Sequence, residues 1–168
     1  MNIRPALIGA LGIAVLAFTA LPPDVRVVYN ASDSAPRGWY YITHTSALLP
    51  GDLVIADLSP PVSELANRRR YLPRGIPILK HVGATAGQRV CIRDRIVSID
   101  GKPLARALKY DGARRALPTW TDCRTLVGDE VFLFSARPEG AFDSRYFGPI
   151  QRNAVRGIAH PLWTWSTP

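Results

Sequence analysis

Two residues of this chain have the types and the surroundings that nucleophilic catalysis requires. Ser34 follows a short apolar run and precedes Pro36 and Gly38, which turn the chain and can present a side chain to a cleft. Lys80 lies inside the apolar stretch from Ile76 to Val82. Burial disfavours an ammonium, so the pKa of such a lysine falls and its neutral amine can accept a proton from a serine hydroxyl. The sequence therefore predicts a serine nucleophile with a lysine base.

Simpler interpretations exist for both residues. Ser, Asp, Pro and Gly are common in surface turns, and a lysine on a strand can extend its ammonium into solvent. Histidine is the more usual base, but His81 is expected on the strand face opposite Lys80. His44 lies in a polar loop, and His160 precedes a proline near the end of the chain. A Ser-His-Asp arrangement therefore stays an open alternative.

Composition indicates one globular domain with a basic surface. The 168 residues carry a net charge of +8, with 18 arginines and only three lysines. No zinc spacing and no nucleic-acid-binding motif accompanies this charge. We therefore expect no metal, no cofactor and no nucleic acid, and a basic surface that faces anionic lipid.

The apolar runs are short, and the chain is rich in proline (15) and glycine (13). This pattern predicts a mainly β fold of short antiparallel strands. A polar excursion at 60–75 interrupts the strands, with a short helix predicted over 64–70. Residues 95–99 followed by Asp100-Gly101 predict a hairpin with a type I′ turn. We expect loops at 102–119 and 137–149, and strands at 25–29, 39–42, 53–56, 76–83, 89–92, 129–135 and 158–165.

The N-terminal residues 1–23 are predicted to be a signal-anchor or transmembrane segment, and residues 24–168 a periplasmic domain. Residues 6–21 are apolar apart from Thr19, and a helix of this length would be about 24 Å long, slightly short for a bilayer. A cleaved signal peptide is the alternative, but no good small-x-small cleavage site is present. Arg4 ahead of the span favours a domain outside the cytoplasm, at the bacterial inner membrane.

The two cysteines, Cys91 and Cys123, are predicted to form a disulfide if the domain is exported. Two buried free thiols are the alternative, because the sequence gives no distance between them.

Three segments, in order, resemble the motifs of type I signal peptidases. They are Ser34-Ala35-Pro36-Arg37-Gly38-Trp39-Tyr40, then Leu79-Lys80-His81-Val82, then Asp143-Ser144-Arg145-Tyr146-Phe147-Gly148. The compact first segment is similar to that of the TraF branch, the peptidases of plasmid conjugative transfer systems. The resemblance covers essentially the whole chain and implies a signal-peptidase-like β fold with an N-terminal anchor helix.

The resemblance implies a role for five residues. Ser34 corresponds to the nucleophile and Lys80 to the general base of a serine–lysine dyad. Ser32 matches a position whose hydroxyl helps the Ser34 N–H to stabilise the oxyanion. Asp143 matches an aspartate that orients the site, through Arg145 or through the surroundings of the lysine.

One position departs from the housekeeping signal peptidases. They usually carry a serine two residues before the aspartate, where it hydrogen-bonds the lysine, and this chain has Ala141. Lys80 must then be held by another group, for which Asp143 itself is a candidate. This difference favours the TraF branch.

The resulting hypothesis is a membrane-anchored serine endopeptidase that cuts after small residues in an exported precursor, the pilin subunit of a conjugative plasmid transfer system. Release by water or cyclisation by the substrate's own N-terminus are both compatible with the sequence. The alternatives are a housekeeping signal peptidase and a non-catalytic periplasmic component of a type IV secretion channel. A soluble self-cleaving repressor domain fits less well, because the chain has the apolar N-terminal segment and no DNA-binding motif.

Overall fold

The computed structural model describes residues 26–44, 47–135 and 141–165, and short strands dominate these residues. The strands are β1 (Arg26–Asn30), β2 (Arg37–Thr43), β3 (Leu53–Ala56), β4 (Ile78–Ala84), β5 (Arg89–Arg93), β6 (Ile96–Ile99), β7 (Lys102–Arg106), β8 (Cys123–Thr125), β9 (Glu130–Phe134), β10 (Ile150–Gln151) and β11 (Val155–Trp165). Two helices, α1 (Pro60–Arg68) and α2 (Ser144–Phe147), and a 3-10 turn (Arg152–Ala154) lie between strands. The strand pairs are antiparallel, which confirms the predicted mainly β fold.

Seven strands form the larger sheet, in the order β1-β2-β11-β3-β4-β9-β10. Its central strands β3 and β4 are apolar at almost every position because both of their faces are covered. Alternation along β4 places Ile78 and Val82 in one buried cluster and Leu79 in another. Lys80 has the same parity as Ile78 and Val82, so its side chain leaves the strand on their face, and the residue is 5% exposed.

The other four strands form a smaller sheet, in the order β7-β6-β5-β8. Asp100 and Gly101 connect β6 to β7, and both have positive φ angles, as a type I′ turn requires. A third buried cluster joins this sheet to the end of β4 and the middle of β9. Its members are Ala84, Val90, Ile92, Val97, Leu126 and Phe132.

Cys91 on β5 lies directly opposite Cys123 on β8, and a disulfide joins them. Of the two alternatives, a disulfide or two free thiols, the structure therefore contains the disulfide.

Several predicted boundaries were wrong for local reasons. Helix α1 begins at Pro60 rather than at residue 64, because Pro60 and Pro61 occupy the first helical positions, where a missing N–H has no consequence. The predicted loop at 102–119 begins with strand β7, since the tight turn returns the chain beside β6. A helical turn, α2, lies within the predicted loop at 137–149.

The predicted anchor, residues 1–23, lies outside the described residues. Among the residues that are described, no helix has the length and apolar character needed to cross a membrane.

Candidate active site

A cleft of about 750 Å³ contains both residues of the predicted dyad. Its wall is mostly apolar and includes Ile55, Leu58, Leu72, Ile76, Ile78 and Leu79. Ser34 enters the cleft from the turn between β1 and β2, and Lys80 enters it from the middle of β4. Ala141 also lines the cleft, so an alanine stands where the housekeeping enzymes are expected to carry a serine.

The turn that carries Ser34 depends on a glycine. Gly38 has a φ of +140°, and a Cβ built on it would lie 2.2 Å from the backbone oxygen of Trp163 on β11. A side chain at this position would therefore push β2 away from β11. The glycine of the first motif is required by this close approach between the strands.

Asn30, which the sequence analysis did not single out, organises the same turn from inside. Its Nδ2 group donates to the backbone carbonyls of Ser32, Ala35 and Pro36, at 3.0–3.1 Å. Its Oδ1 accepts from both the N–H and the hydroxyl of Ser32. An asparagine at the end of a strand, with a serine two residues later, is the sequence signal of such an Asx turn.

The hydroxyls of Ser32 and Ser34 form three close contacts but have only two protons to donate. Ser32 Oγ lies 2.8 Å from Asn30 Oδ1 and 2.8 Å from Ser34 Oγ. Ser34 Oγ lies 3.2 Å from the carbonyl oxygen of Leu79, the residue before Lys80. Asn30 Oδ1 and Leu79 O are acceptors only, so the Ser34 proton is donated either to Leu79 O or to Ser32 Oγ. The hydrogen-bond partners of the Ser34 hydroxyl are thus neutral groups.

Lys80 is the buried cation of the cleft. Burial lowers its pKa from the ordinary 10.5 to about 8, against an opposing attraction from Asp143, while the charge of Arg145 lowers it further. The amine is therefore mostly protonated at pH 7, but a substantial fraction is neutral at pH 8. Such a group can act as a base at a mildly alkaline pH.

Asp143 and Arg145 form an ion pair in which both side chains are fully buried. The guanidinium donates to both carboxylate oxygens, each at 2.8 Å, and donates also to the carbonyl of Arg106. Asp143 also caps α2 by accepting from the Arg145 N–H. The bidentate geometry compensates both charges, as a buried pair requires.

Ser135 links this ion pair to the nucleophile turn and is a second residue that sequence reasoning missed. Its N–H donates to Asp143 Oδ2 at 2.9 Å, and its hydroxyl donates to the carbonyl of Ser34 at 3.1 Å. Serine at the end of an apolar strand is too common for this role to be recognised from the sequence alone.

The described histidines have positions away from the cleft wall. His81 contacts the carbonyl of Gly51, and His160 contacts the hydroxyl of Thr43 and stacks on Tyr41. Neither of these residues is among those that line the cleft with Ser34, and neither is His44. This arrangement gives no support to the Ser-His-Asp alternative.

Comparison with known proteins agrees with these motifs. A family model of signal peptidases, peptidase S26, matches residues 1–164. The chain is 31% identical to the plasmid transfer protein TraF of Escherichia coli, over 92% of this chain and 92% of that protein. It is 35% identical to the conjugal transfer protein TraF of Agrobacterium fabrum strain C58, over 96% of this chain and 98% of that protein.

Among solved structures, a signal peptidase I from Enterococcus faecalis V583 matches 68% of this chain and 98% of its own, with a TM-score of 0.42 and 18% identity. The family model spans the strand carrying Lys80, the turn carrying Ser34 and the Asp143–Arg145 pair. The chain therefore belongs to the signal peptidase family, peptidase S26.

Proposed function

We propose that this chain is a membrane-anchored serine endopeptidase, with Ser34 as the nucleophile and Lys80 as the general base. The observation that carries the proposal is the shared cleft, which is lined both by Ser34 and by a buried lysine with a pKa of about 8. A lysine that lines a cleft and whose pKa lies far below its ordinary value is a candidate for an active-site residue.

In the proposed reaction, neutral Lys80 accepts the proton of Ser34 while Ser34 Oγ attacks the scissile carbonyl. The resulting oxyanion is stabilised by the Ser34 N–H and by the Ser32 hydroxyl, which rotates away from Asn30 Oδ1 to donate to it. The Lys80 ammonium then protonates the leaving amine, and an acyl-enzyme ester remains on Ser34. Attack on this ester by water gives hydrolysis, and attack by the N-terminal amine of the substrate gives a cyclic product.

The proposed substrate is an exported precursor, the pilin subunit of a conjugative transfer system. The names of the TraF relatives support the conjugation context. The apolar cleft wall supports binding of an extended segment with small apolar side chains.

The proposed location is the periplasmic face of the inner membrane. A cluster of four exposed aromatic rings on β1, β2 and β11 supports it, since amphipathic rings favour the membrane–water interface. Its members are Tyr29, Trp39, Trp163 and Trp165. Tyr29 also lines the cleft, so this surface is continuous with the proposed active site.

The test is maturation of the pilin precursor encoded with this chain, in cells that produce the wild type, Ser34→Ala or Lys80→Ala. We expect mature pilin with the wild type alone, and a matched Ser98→Ala variant on β6 should retain processing. Mass spectrometry distinguishes the products, because a cyclic pilin is lighter than the hydrolysed one by one water. Processing by Ser34→Ala would exclude the dyad, and DNA transfer unchanged in that variant would favour a non-catalytic component.

A further inference from the structure

The Cys91–Cys123 disulfide lies on the outer face of the smaller sheet. Along β5, Val90 and Ile92 point into the core and are at most 7% exposed, so Cys91 has the opposite orientation. Both cysteines are half-buried, and they join β5 to the three-residue edge strand β8. The bond therefore lies on the face of the sheet that is turned away from the core, and neither cysteine is fully buried.

Two guanidinium groups lie beside one sulfur of this bond. The Nη2 atoms of Arg89 and Arg93 are each 3.8 Å from the Sγ of Cys123. Both arginines are exposed, and neither forms an ion pair within the described residues. Their positive charge is therefore available to a sulfur that becomes negative.

We infer that this disulfide is a thiol–disulfide exchange site, at which Cys91 is the sulfur attacked and Cys123 is the leaving sulfur. Neighbouring arginines stabilise a thiolate, and a more stable thiolate leaves faster. The two arginines at Cys123 thus give the bond a direction, because a nucleophile that attacks Cys91 expels the stabilised sulfur. The partner is a protein with a reactive dithiol.

The exchange proceeds in two balanced steps. A thiolate of the partner attacks Cys91 Sγ and forms a mixed disulfide, while the electron pair of the Cys91–Cys123 bond leaves on Cys123 as a thiolate. The second thiolate of the partner attacks its own sulfur in the mixed disulfide and releases Cys91 as a thiolate. The partner is oxidised to a disulfide and this chain is reduced to a dithiol; the reverse sequence forms the bond.

The disulfide is connected to the cleft through the segment 107–122. Strand β8 directly follows this segment. The segment contains Asp111, which accepts a hydrogen bond from the hydroxyl of Tyr71. Tyr71 lines the cleft. Breaking the bond removes the covalent link between β5 and β8, which lies at one end of the segment that holds this wall residue.

The first test locates the attacked sulfur in the intact wild-type chain, purified in detergent. The protein is treated briefly with glutathione, free thiols are blocked with N-ethylmaleimide, and the peptides are mapped by mass spectrometry. We expect glutathione mainly on Cys91 and maleimide mainly on Cys123. Equal partition, the opposite partition, or a bond that resists exchange would overturn the inference.

The second test measures thiolate character in single-cysteine variants at pH 7. Cys123 in the Cys91→Ser variant should be alkylated by iodoacetamide about threefold faster than Cys91 in the Cys123→Ser variant. Adding Arg89→Gln and Arg93→Gln should remove the difference, whereas Arg106→Gln, an exposed arginine at the opposite edge of the same sheet, should retain it. An unchanged rate in the double arginine variant would contradict the assigned role.

Discussion

Arg145 and Lys80 are both buried, but their surroundings shift their pKa values in opposite directions. Arg145 is completely buried behind the cleft and donates to both oxygens of Asp143. Lys80 lines the cleft, is 5% exposed and forms no ion pair within the described residues. Burial lowers the pKa of both groups, but the hydrogen bonds to Asp143 raise the pKa of Arg145 above its ordinary value. The pKa of Lys80 instead falls to about 8.

The difference shows that pairing, rather than burial alone, decides whether a buried group keeps its charge. Arginine does not lose its proton in a protein, so it must be paired when it is buried. Lysine can become neutral, and its buried environment favours that form. The Asp143–Arg145 pair supplies a fixed scaffold, and Lys80 supplies a group that can gain and lose a proton in the cleft that Ser34 also lines.

The largest expected effect comes from replacing the unpaired cation. Lys80→Met should lower the rate of precursor cleavage by about 10³-fold, since the proposed base is removed. The same variant should be at least as stable as the wild type at pH 7, because the side chain that replaces Lys80 has no charge to bury. Cleavage assays and urea unfolding test the two effects, with Lys109→Met, an exposed lysine, as the control. A large loss of stability would show that Lys80 is structural.

Replacing the paired cation should give the opposite result. Arg145→Met leaves Asp143 buried without its partner, and the free energy of unfolding should fall by about 3–5 kcal/mol. The double variant Asp143→Asn/Arg145→Met removes both charges and should recover part of this loss. Urea unfolding of the two variants measures the recovery. A double variant no more stable than Arg145→Met would mean that the pair stabilises the fold by more than its mutual charge compensation.

The dependence on pH sharpens the comparison. The unfolded chain holds the Lys80 proton up to about pH 10.5 and the folded chain only up to about pH 8. Below pH 8 both states are protonated, so the burial penalty of about 3 kcal/mol is fully present. Between pH 8 and 10.5 the unfolded state binds more protons, and the contribution of Lys80 to stability rises with pH.

The stability advantage of Lys80→Met over the wild type should therefore shrink across pH 8–10.5. The wild-type cleavage rate should rise with pH, reach half of its maximum near pH 8 and level off about one pH unit higher, as the neutral amine accumulates. Unfolding measured in parallel for both proteins isolates Lys80 from other titrating groups. A difference in stability that is constant with pH would contradict the lowered pKa.

The fold class and the positions of Ser34 and Lys80 were predictable because each rests on a local pattern. Short apolar runs between glycines and prolines indicate strands. A lysine within an apolar run indicates burial. The Asp143–Arg145 pair could be placed by its motif, but its complete burial depends on the packing of α2 against β9, which has no local signature.

Asn30 and Ser135 were missed because their function depends on distant backbone. Ser135 reaches Ser34 across 101 residues of sequence, and the three carbonyls bound by Asn30 converge only after the turn has formed. Strand β7 was missed because three of its five residues are exposed and it contains a proline, and its position follows from the turn that precedes it.

The smallest expected effect concerns Ser135, which connects the Asp143–Arg145 pair to the turn that carries Ser34. Ser135→Ala removes the hydroxyl that donates to the Ser34 carbonyl but keeps the N–H that donates to Asp143. The free energy of unfolding should fall by about 1 kcal/mol, the net value of one hydrogen bond. If the bond also holds the nucleophile in its attacking position, kcat should fall several-fold with KM unchanged, because substrate contacts with the apolar wall are retained. Ser98→Ala on β6 is the control for both measurements. A loss of stability with normal kcat in Ser135→Ala would mean that Ser135 supports the fold without positioning Ser34.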